Sequence, residues 1–131
     1  MKGRIAWEND ERTLLKLTID EAFTLHELSE LRDGMTALVQ QVTHNVDVMI
    51  LFNAAEMPPG FLAMMQRFDT DMPANINRTF VVGGNQMFFR MTREFMLRFR
   101  PTDRLKNRLF LCETEADAGA IINGSKPAQS L

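Results

Sequence analysis

Few side chains in this sequence are of the types and spacings that enzymes use for chemistry. His26 is predicted at a helix start and His44 in a loop, and neither stands at a recognised metal-ligand spacing from a cysteine or carboxylate. The single cysteine, Cys112, lies in an apolar run, where such a residue is more often a small buried hydrophobe than a nucleophile. We therefore expect no enzymatic activity and no bound metal ion or cofactor.

A second candidate for chemistry is the glycine pair followed by two amides at residues 83–86. At a helix start, such a turn can hold a phosphate through its backbone N–H groups. The segment Gly83-Gly84-Asn85-Gln86 lacks both the lysine of a phosphate-binding loop and the three-glycine dinucleotide pattern. The pattern favours a tight strand-to-helix turn.

The remaining candidate is the loop after the apolar run Val46 to Phe52. This run is nearly uninterrupted, which predicts a strand covered on both faces, as in the middle of a parallel sheet. In open α/β sheets, ligands usually bind at loops that leave the carboxyl ends of the strands. Residues 53–60, Asn-Ala-Ala-Glu-Met-Pro-Pro-Gly, are therefore the first place to look for function.

The elements that position this loop follow from hydrophobic periodicity, capping residues and prolines. Thr24 with Glu27, and Thr114 with Asp117, have the spacing of helix caps. Strands are predicted at 4–8, 12–19, 46–52, 78–82 and 109–112, and helices at 24–42, 59–72, 85–99 and 114–124. The predicted fold is α/β: a single mixed, mostly parallel five-stranded sheet, in which an N-terminal β-hairpin precedes βα repeats with four helices. Right-handed crossovers would place successive helices on one face.

Length and composition indicate one domain. The chain has 131 residues, of which 45% are hydrophobic and 24% charged, enough for one core. We assign residues 1–124 to the domain and 125–131 to a loosely held tail. The sequence has no apolar run of eighteen residues, and its start lacks the apolar core of a signal peptide. We expect a cytoplasmic protein without membrane insertion.

Charge is distributed unevenly along the chain. Residues 1–66 carry five basic and ten acidic side chains, whereas residues 67–108 carry nine basic and four acidic ones. Such blocks can form a nucleic-acid footprint, but oppositely charged elements that lie side by side explain them better. We expect only weak, sequence-independent nucleic-acid binding, which fades with salt.

The predicted helix at 85–99 is apolar over more of its circumference than one core face requires. Its core stripe is flanked by further apolar side chains, which widen the apolar arc to roughly 200° against the ~100° of one buried face. The flanking residues are Met87, Phe89 and Met96. The surplus surface is explained by contact with another helix, by a homodimer interface with Phe89 or Met96 near its centre, or by a pocket lined by methionine and phenylalanine.

The order of these elements resembles the STAS domains, the family of bacterial anti-sigma-factor antagonists. The likeness covers about residues 4–123 and includes the hairpin, the capped first helix, the central strand, the turn after Val81-Val82 and the segment Leu111 to Ala118. The resemblance implies a non-enzymatic domain that binds a protein partner in a regulatory or scaffolding role. In that family, a kinase partner phosphorylates a serine in the loop after the central strand.

The loop at 53–60 departs from the family pattern, because it contains no Ser, Thr or Tyr and only Gly60 matches well. We therefore expect no serine phospho-switch in this loop. The sequence predicts a protein-binding domain that self-associates as a homodimer; the alternative is a small-molecule or lipid carrier. The predicted partner-binding residues are Asn53, Glu56, Met57, Pro58, Gly60, Met64, Phe89 and Met96.

Overall fold

The chain forms an α/β fold, as the sequence predicts. The computed structural model describes residues 3–53, 60, 63–64, 72–83, 90, 93–94 and 109–124. The helices and strands within these ranges are β1 (Gly3–Trp7), β2 (Leu14–Ile19), α1 (Leu25–Val39), β3 (Val46–Phe52), β4 (Ile76–Gly83), β5 (Leu109–Cys112) and α2 (Glu115–Ile122).

The five strands form a single mixed sheet in the order β1-β2-β3-β4-β5. The hairpin pair β1–β2 is antiparallel, and the pairs β2–β3, β3–β4 and β4–β5 are parallel. β3 is central, as its apolar run predicts. All four parallel strands therefore end at the same edge of the sheet, which we call the carboxyl end; their starts define the amino end.

Alternate residues of β3 supply two hydrophobic cores, one on each face of the sheet. Val48, Ile50 and Phe52 belong to the core that α1 covers. Met49 belongs to the opposite core, which also contains Phe80 and Phe110. Since side chains alternate between faces along a strand, burial on both faces requires an apolar residue at nearly every position.

The predicted capping box at the start of α1 is present. The Glu27 backbone N–H donates to Thr24 Oγ1 over 3.1 Å, and the Thr24 backbone N–H donates to Glu27 Oε1 over 3.0 Å. The helix ends at Val39 rather than at residue 42. There the side-chain amide of Asn75 donates to the carbonyls of Val39 (3.0 Å) and Val42 (3.3 Å), which holds the chain as it leaves the helix towards β3.

The last helix, α2, lies on the face opposite α1. Its Ala118 and Ile121 pack in the core that contains Met49 and Phe80. The expectation that successive helices share one face is therefore wrong for α2. The crossover rule applies to helices that connect two parallel strands, whereas α2 follows the edge strand β5 and leads to no later strand of the described sheet.

The helices predicted at 59–72 and 85–99 lie mostly outside the described residues. The residues described within them, Ala63, Met64, Arg90, Arg93 and Glu94, have helical backbone. Two of the four predicted helices, α1 and α2, are therefore described in full. The predicted C-terminal tail at 125–131 also lies outside the described ranges.

Candidate binding site at the carboxyl end of the sheet

Asn53 occupies the carboxyl end of the central strand, directly after β3. Its backbone N–H donates to the carbonyl of Ile19, the last residue of β2, over 2.8 Å. Its side-chain Nδ2 donates to Asp20 Oδ1 over 2.9 Å. Two hydrogen bonds thus fix an exposed residue beside the end of the neighbouring strand.

The same aspartate connects Asn53 to the edge of the sheet. Asp20 Oδ2 lies 3.1 Å from Nη2 of Arg4 on β1, so that Arg4, Asp20 and Asn53 form a polar row across three strand ends. Because the row is largely exposed, it contributes little to stability. Within the described part of the chain, Asn53 Oδ1 accepts no hydrogen bond, so this oxygen is free to accept one from a bound molecule.

Gly60, at the other end of the predicted loop, lies beside the start of α1. Its φ of +82° is in the left-handed region, which favours glycine. A Cβ at this position would stand 3.1 Å from Leu25 Cδ1. Its carbonyl accepts a hydrogen bond from the Met64 backbone N–H over 3.0 Å, and the half-buried Met64 packs against the α1-side core.

A cleft of about 440 Å³ opens beside Asn53 at this end of the sheet. The ends of β3, β4 and β5 and the first residues of α2 line it, through Leu51, Phe52, Asn53, Val82, Gly83, Glu113, Thr114 and Glu115. Glu115 pairs with Lys16 on β2, whereas Glu113 is exposed and has no ion-pair partner among the described residues. The cleft is therefore lined by the amide residue Asn53 and by a carboxylate that has no ion-pair partner in the described part of the chain.

Sequence reasoning missed Asp20 and Glu113 as parts of this site. Each is a carboxylate that directly follows an apolar strand, Asp20 after β2 and Glu113 after β5. Parallel strands end at one edge, so polar residues in these positions converge there. A carboxylate directly after an apolar strand was therefore the sequence feature that could have predicted both residues.

Of the predicted partner-binding residues, the structure places Asn53, Gly60 and Met64. Asn53 lies at the end of β3, Gly60 lies at the start of α1, and Met64 is hydrogen bonded to Gly60. The other five lie outside the described residues: Glu56, Met57, Pro58, Phe89 and Met96.

The described residues also line a small apolar cavity beneath α1. It has a volume of about 30 Å³, and it lies between Leu28 and Met35 of α1 and the segment Met72-Pro73. Within the described ranges, no three His, Cys, Asp or Glu side chains are grouped so that they could hold a metal ion. None of the described helices is long and apolar enough to cross a membrane.

Comparison with known protein families gives no match to this chain. Comparison with curated protein sequences and with solved structures gives none either. Inferences about function therefore rest on the residues and geometry of the carboxyl end.

Proposed function

We propose that this chain is a non-enzymatic protein-binding domain with a regulatory or scaffolding role, and that it binds its partner at the carboxyl end of the sheet. The observation that carries the proposal is the geometry of Asn53. Two hydrogen bonds fix this residue at the end of the central strand, and its side-chain oxygen has no partner among the described residues, beside an open cleft. A polar group that is rigidly held and open to solvent can exchange its water for a partner without being reordered, which suits recognition.

The STAS resemblance supports the same proposal from the element order. Its finer features, a mostly parallel sheet with four helices and a loop at 53–60 that contacts a partner, belong to this proposal. Because the loop contains no Ser, Thr or Tyr, recognition would depend on its fixed shape rather than on phosphorylation. The left-handed backbone at Gly60 and the hydrogen bonds of Asn53 hold the two ends of the loop.

The charge of the cleft suggests the chemistry of the partner surface. The charged side chains that line the cleft within the described residues are Glu113 and Glu115, and only Glu115 is paired there, with Lys16. A partner that presents arginine or lysine together with N–H donors would satisfy both Glu113 and the free oxygen of Asn53. Complementary charge of this kind mainly raises specificity and the rate of association.

The carrier alternative requires an enclosed apolar pocket of several hundred Å³. The apolar cavity lined by described residues has about 30 Å³, which is too small for a lipid or a drug-sized ligand. The larger cleft, of about 440 Å³, is lined partly by carboxylates and an amide. Neither space is an enclosed apolar pocket of that size, and the helices predicted to enclose one, at 59–72 and 85–99, lie mostly outside the described residues.

The test compares two charge reversals at exposed glutamates. Glu113→Lys changes the cleft, and the control Glu11→Lys makes the same change in the loop between β1 and β2, at the amino end. Tagged wild-type and variant chains are recovered from the native host, and the bound proteins are quantified by mass spectrometry. We expect one partner to be recovered with wild type and with Glu11→Lys, and to be depleted about tenfold with Glu113→Lys.

Thermal unfolding of the purified variants checks that both remain folded. Equal recovery of the partner with both charge variants would place the binding surface elsewhere. Failure to recover any partner at near-stoichiometric levels with wild type would contradict the proposal as a whole.

A further inference from the structure

The outer edge of β1 presents unpaired backbone groups. In an antiparallel pair, residues alternate between those that exchange hydrogen bonds with the partner strand and those whose N–H and C=O point away from it. The Glu8 backbone N–H donates to the Leu14 carbonyl over 2.9 Å, so position 8 faces β2. With the observed register, Arg4 and Ala6 also face β2, whereas the backbone groups of Gly3, Ile5 and Trp7 face outward.

Hydrogen bonds on the other side of β2 confirm this alternation. The carbonyls of Thr13 and Ile19 accept hydrogen bonds, each of 2.8 Å, from the backbone N–H groups of Asp47 and Asn53 at the two ends of β3. Odd-numbered residues of β2 therefore face β3, and even-numbered ones face β1. β1 ends the sheet within the described residues, so no described strand satisfies its outward groups.

As far as the described residues show, this edge lacks three common devices that prevent pairing with another strand. Natural edge strands are protected by proline, bulges or charged side chains. β1 reads Gly-Arg-Ile-Ala-Trp and pairs with β2 without a register shift. Its one charged residue, Arg4, is engaged by Asp20 at 3.1 Å.

We propose that two copies of this chain associate through their β1 strands, antiparallel and with the twofold axis at Ile5, to form one continuous sheet. In this register, Gly3, Ile5 and Trp7 of one copy face Trp7, Ile5 and Gly3 of the other. All three are residues with outward backbone groups, so the pairing can form about six hydrogen bonds. When the two strands overlap over their full length, the residues with outward backbone groups therefore face each other.

The side chains of β1 are self-complementary in the same register. Arg4 stands opposite Ala6 of the second copy, so that no like charges meet. Trp7 stands opposite Gly3, which leaves room for the indole ring and covers the backbone of an edge glycine. A shift of two residues in one direction would instead place the two Arg4 side chains opposite each other, and a shift in the other direction would lose the Trp7–Gly3 pair.

Apolar surface supports the pairing as well. Ile5 and Trp7 are half-buried and pack against the core on the α1 side of the sheet. A second copy would cover part of their remaining exposed surface. The proposed interface differs from the one that the sequence predicts around Phe89 and Met96, which lie outside the described residues. It is also separate from the carboxyl-end cleft, so either proposal can fail alone.

Amide hydrogen exchange measured by NMR at increasing protein concentration tests the pairing residue by residue. We expect the N–H groups of Ile5 and Trp7 to exchange quickly in dilute samples and to become protected as the dimer forms. The N–H of Ala6, which faces β2, should be protected at every concentration and is the internal control. Trp7 is the only tryptophan, so its emission should shift to shorter wavelength over the same concentration range.

Two proline substitutions remove outward N–H groups without removing a β1–β2 hydrogen bond. Ile5→Pro acts at the twofold axis, and Gly3→Pro acts at the end of the strand without loss of a core side chain. We expect each substitution to raise the dimer Kd about tenfold or more, and the control Ile5→Val to leave it unchanged. Analytical ultracentrifugation measures the Kd. If Ile5→Pro fails to fold, the dimer Kd of Gly3→Pro tests the proposal alone.

Replacement of both Phe89 and Met96 by Lys should leave this dimer intact. A wild-type chain that is monomeric at about 100 µM would overturn the proposal, because even a dimer of micromolar Kd is populated there. A dimer that survives both proline substitutions, or one that only the Phe89 and Met96 double variant dissociates, would overturn it too.

Discussion

The two ends of the sheet use polar side chains in opposite ways. At the amino end, Asp47 at the start of β3 is only 9% exposed, and both of its carboxylate oxygens are satisfied within the fold. At the carboxyl end, Asn53 is exposed and one of its side-chain polar atoms has no partner within the described residues. Asp47 is the second residue of the central strand, and Asn53 directly follows its last residue.

At the amino end, Asp47 closes an irregularity between β3 and β4. The register shifts between Val46 and Val48, and Asp47 Oδ1 accepts the Arg78 backbone N–H over 3.0 Å. Oδ2 accepts from Arg78 Nη2 over 2.6 Å and from Nε over 3.1 Å. The guanidinium carbon lies 5.5 Å from the centre of the Phe80 ring, a cation–π distance. A charged pair thus replaces the ladder bonds that the bulge disrupts.

The two ends differ in whether their polar side chains are satisfied inside the fold. Buried polar groups must be satisfied internally, because desolvation without a partner costs free energy. Exposed groups at the carboxyl end do not need internal partners, so their arrangement in a row beside a cleft has no such structural explanation. Substitutions at the amino end should therefore change stability, and substitutions at the carboxyl end should change binding.

The largest effect is expected for Asp47→Ala. It leaves the Arg78 backbone N–H and a mostly buried guanidinium without their acceptor, and we expect the free energy of unfolding to fall by about 2 to 3 kcal/mol. Urea unfolding followed by circular dichroism measures this loss. The folded fraction should still bind the partner as wild type does.

Asp47→Asn is the matched control, because its amide oxygen can still accept the Arg78 backbone N–H. We expect it to lose about half as much stability as Asp47→Ala. If Asp47→Ala unfolds at the urea concentration of wild type, the Asp47–Arg78 pair does not stabilise the bulge. The proposal that polar side chains at the amino end stabilise the fold would then be wrong.

A smaller effect is expected for Gly60→Ala at the carboxyl end. The left-handed φ of +82° and the 3.1 Å approach to Leu25 Cδ1 both oppose a methyl group, and the expected loss is about 1 kcal/mol. Gly119→Ala is the control: an added Cβ in α2 meets nothing within 4 Å, so stability should rise by about 0.5 to 1 kcal/mol. Equal effects of the two substitutions in urea unfolding would show that the backbone at Gly60 accepts alanine.

Patterns local in sequence predicted most of the described fold. The apolar run of β3 gave its bounds and its central position, and the spacing of Thr24 with Glu27 and of Thr114 with Asp117 gave the caps of α1 and α2. These features depend on neighbours within a few residues, so a single sequence contains them. The STAS resemblance and the partner stay predictions.

Features that depend on distant residues were missed. The end of α1 at Val39 depends on Asn75, and the role of Asp47 depends on Arg78, each more than thirty positions away. An aspartate inside an apolar strand was a usable signal, since a buried carboxylate requires a partner. The polar row of Arg4, Asp20 and Asn53 joins three strand ends, and its members become neighbours only when the strand order is known.

The smallest effect on stability, and the largest on binding, is expected for Asn53→Ala. The substitution removes one hydrogen bond between exposed groups, to Asp20, so the free energy of unfolding should fall by only about 0.5 kcal/mol. Partner affinity, measured by calorimetry once the partner is identified, should fall about tenfold or more.

Asn9→Ala is the control, because Asn9 forms two hydrogen bonds with Thr13 in the β1–β2 loop at the amino end, over 2.6 and 3.0 Å. It should cost about 1 kcal/mol and leave affinity unchanged. An Asn53→Ala chain that binds like wild type would show that the fixed amide is not part of the recognition surface, whatever the stability of the two variants.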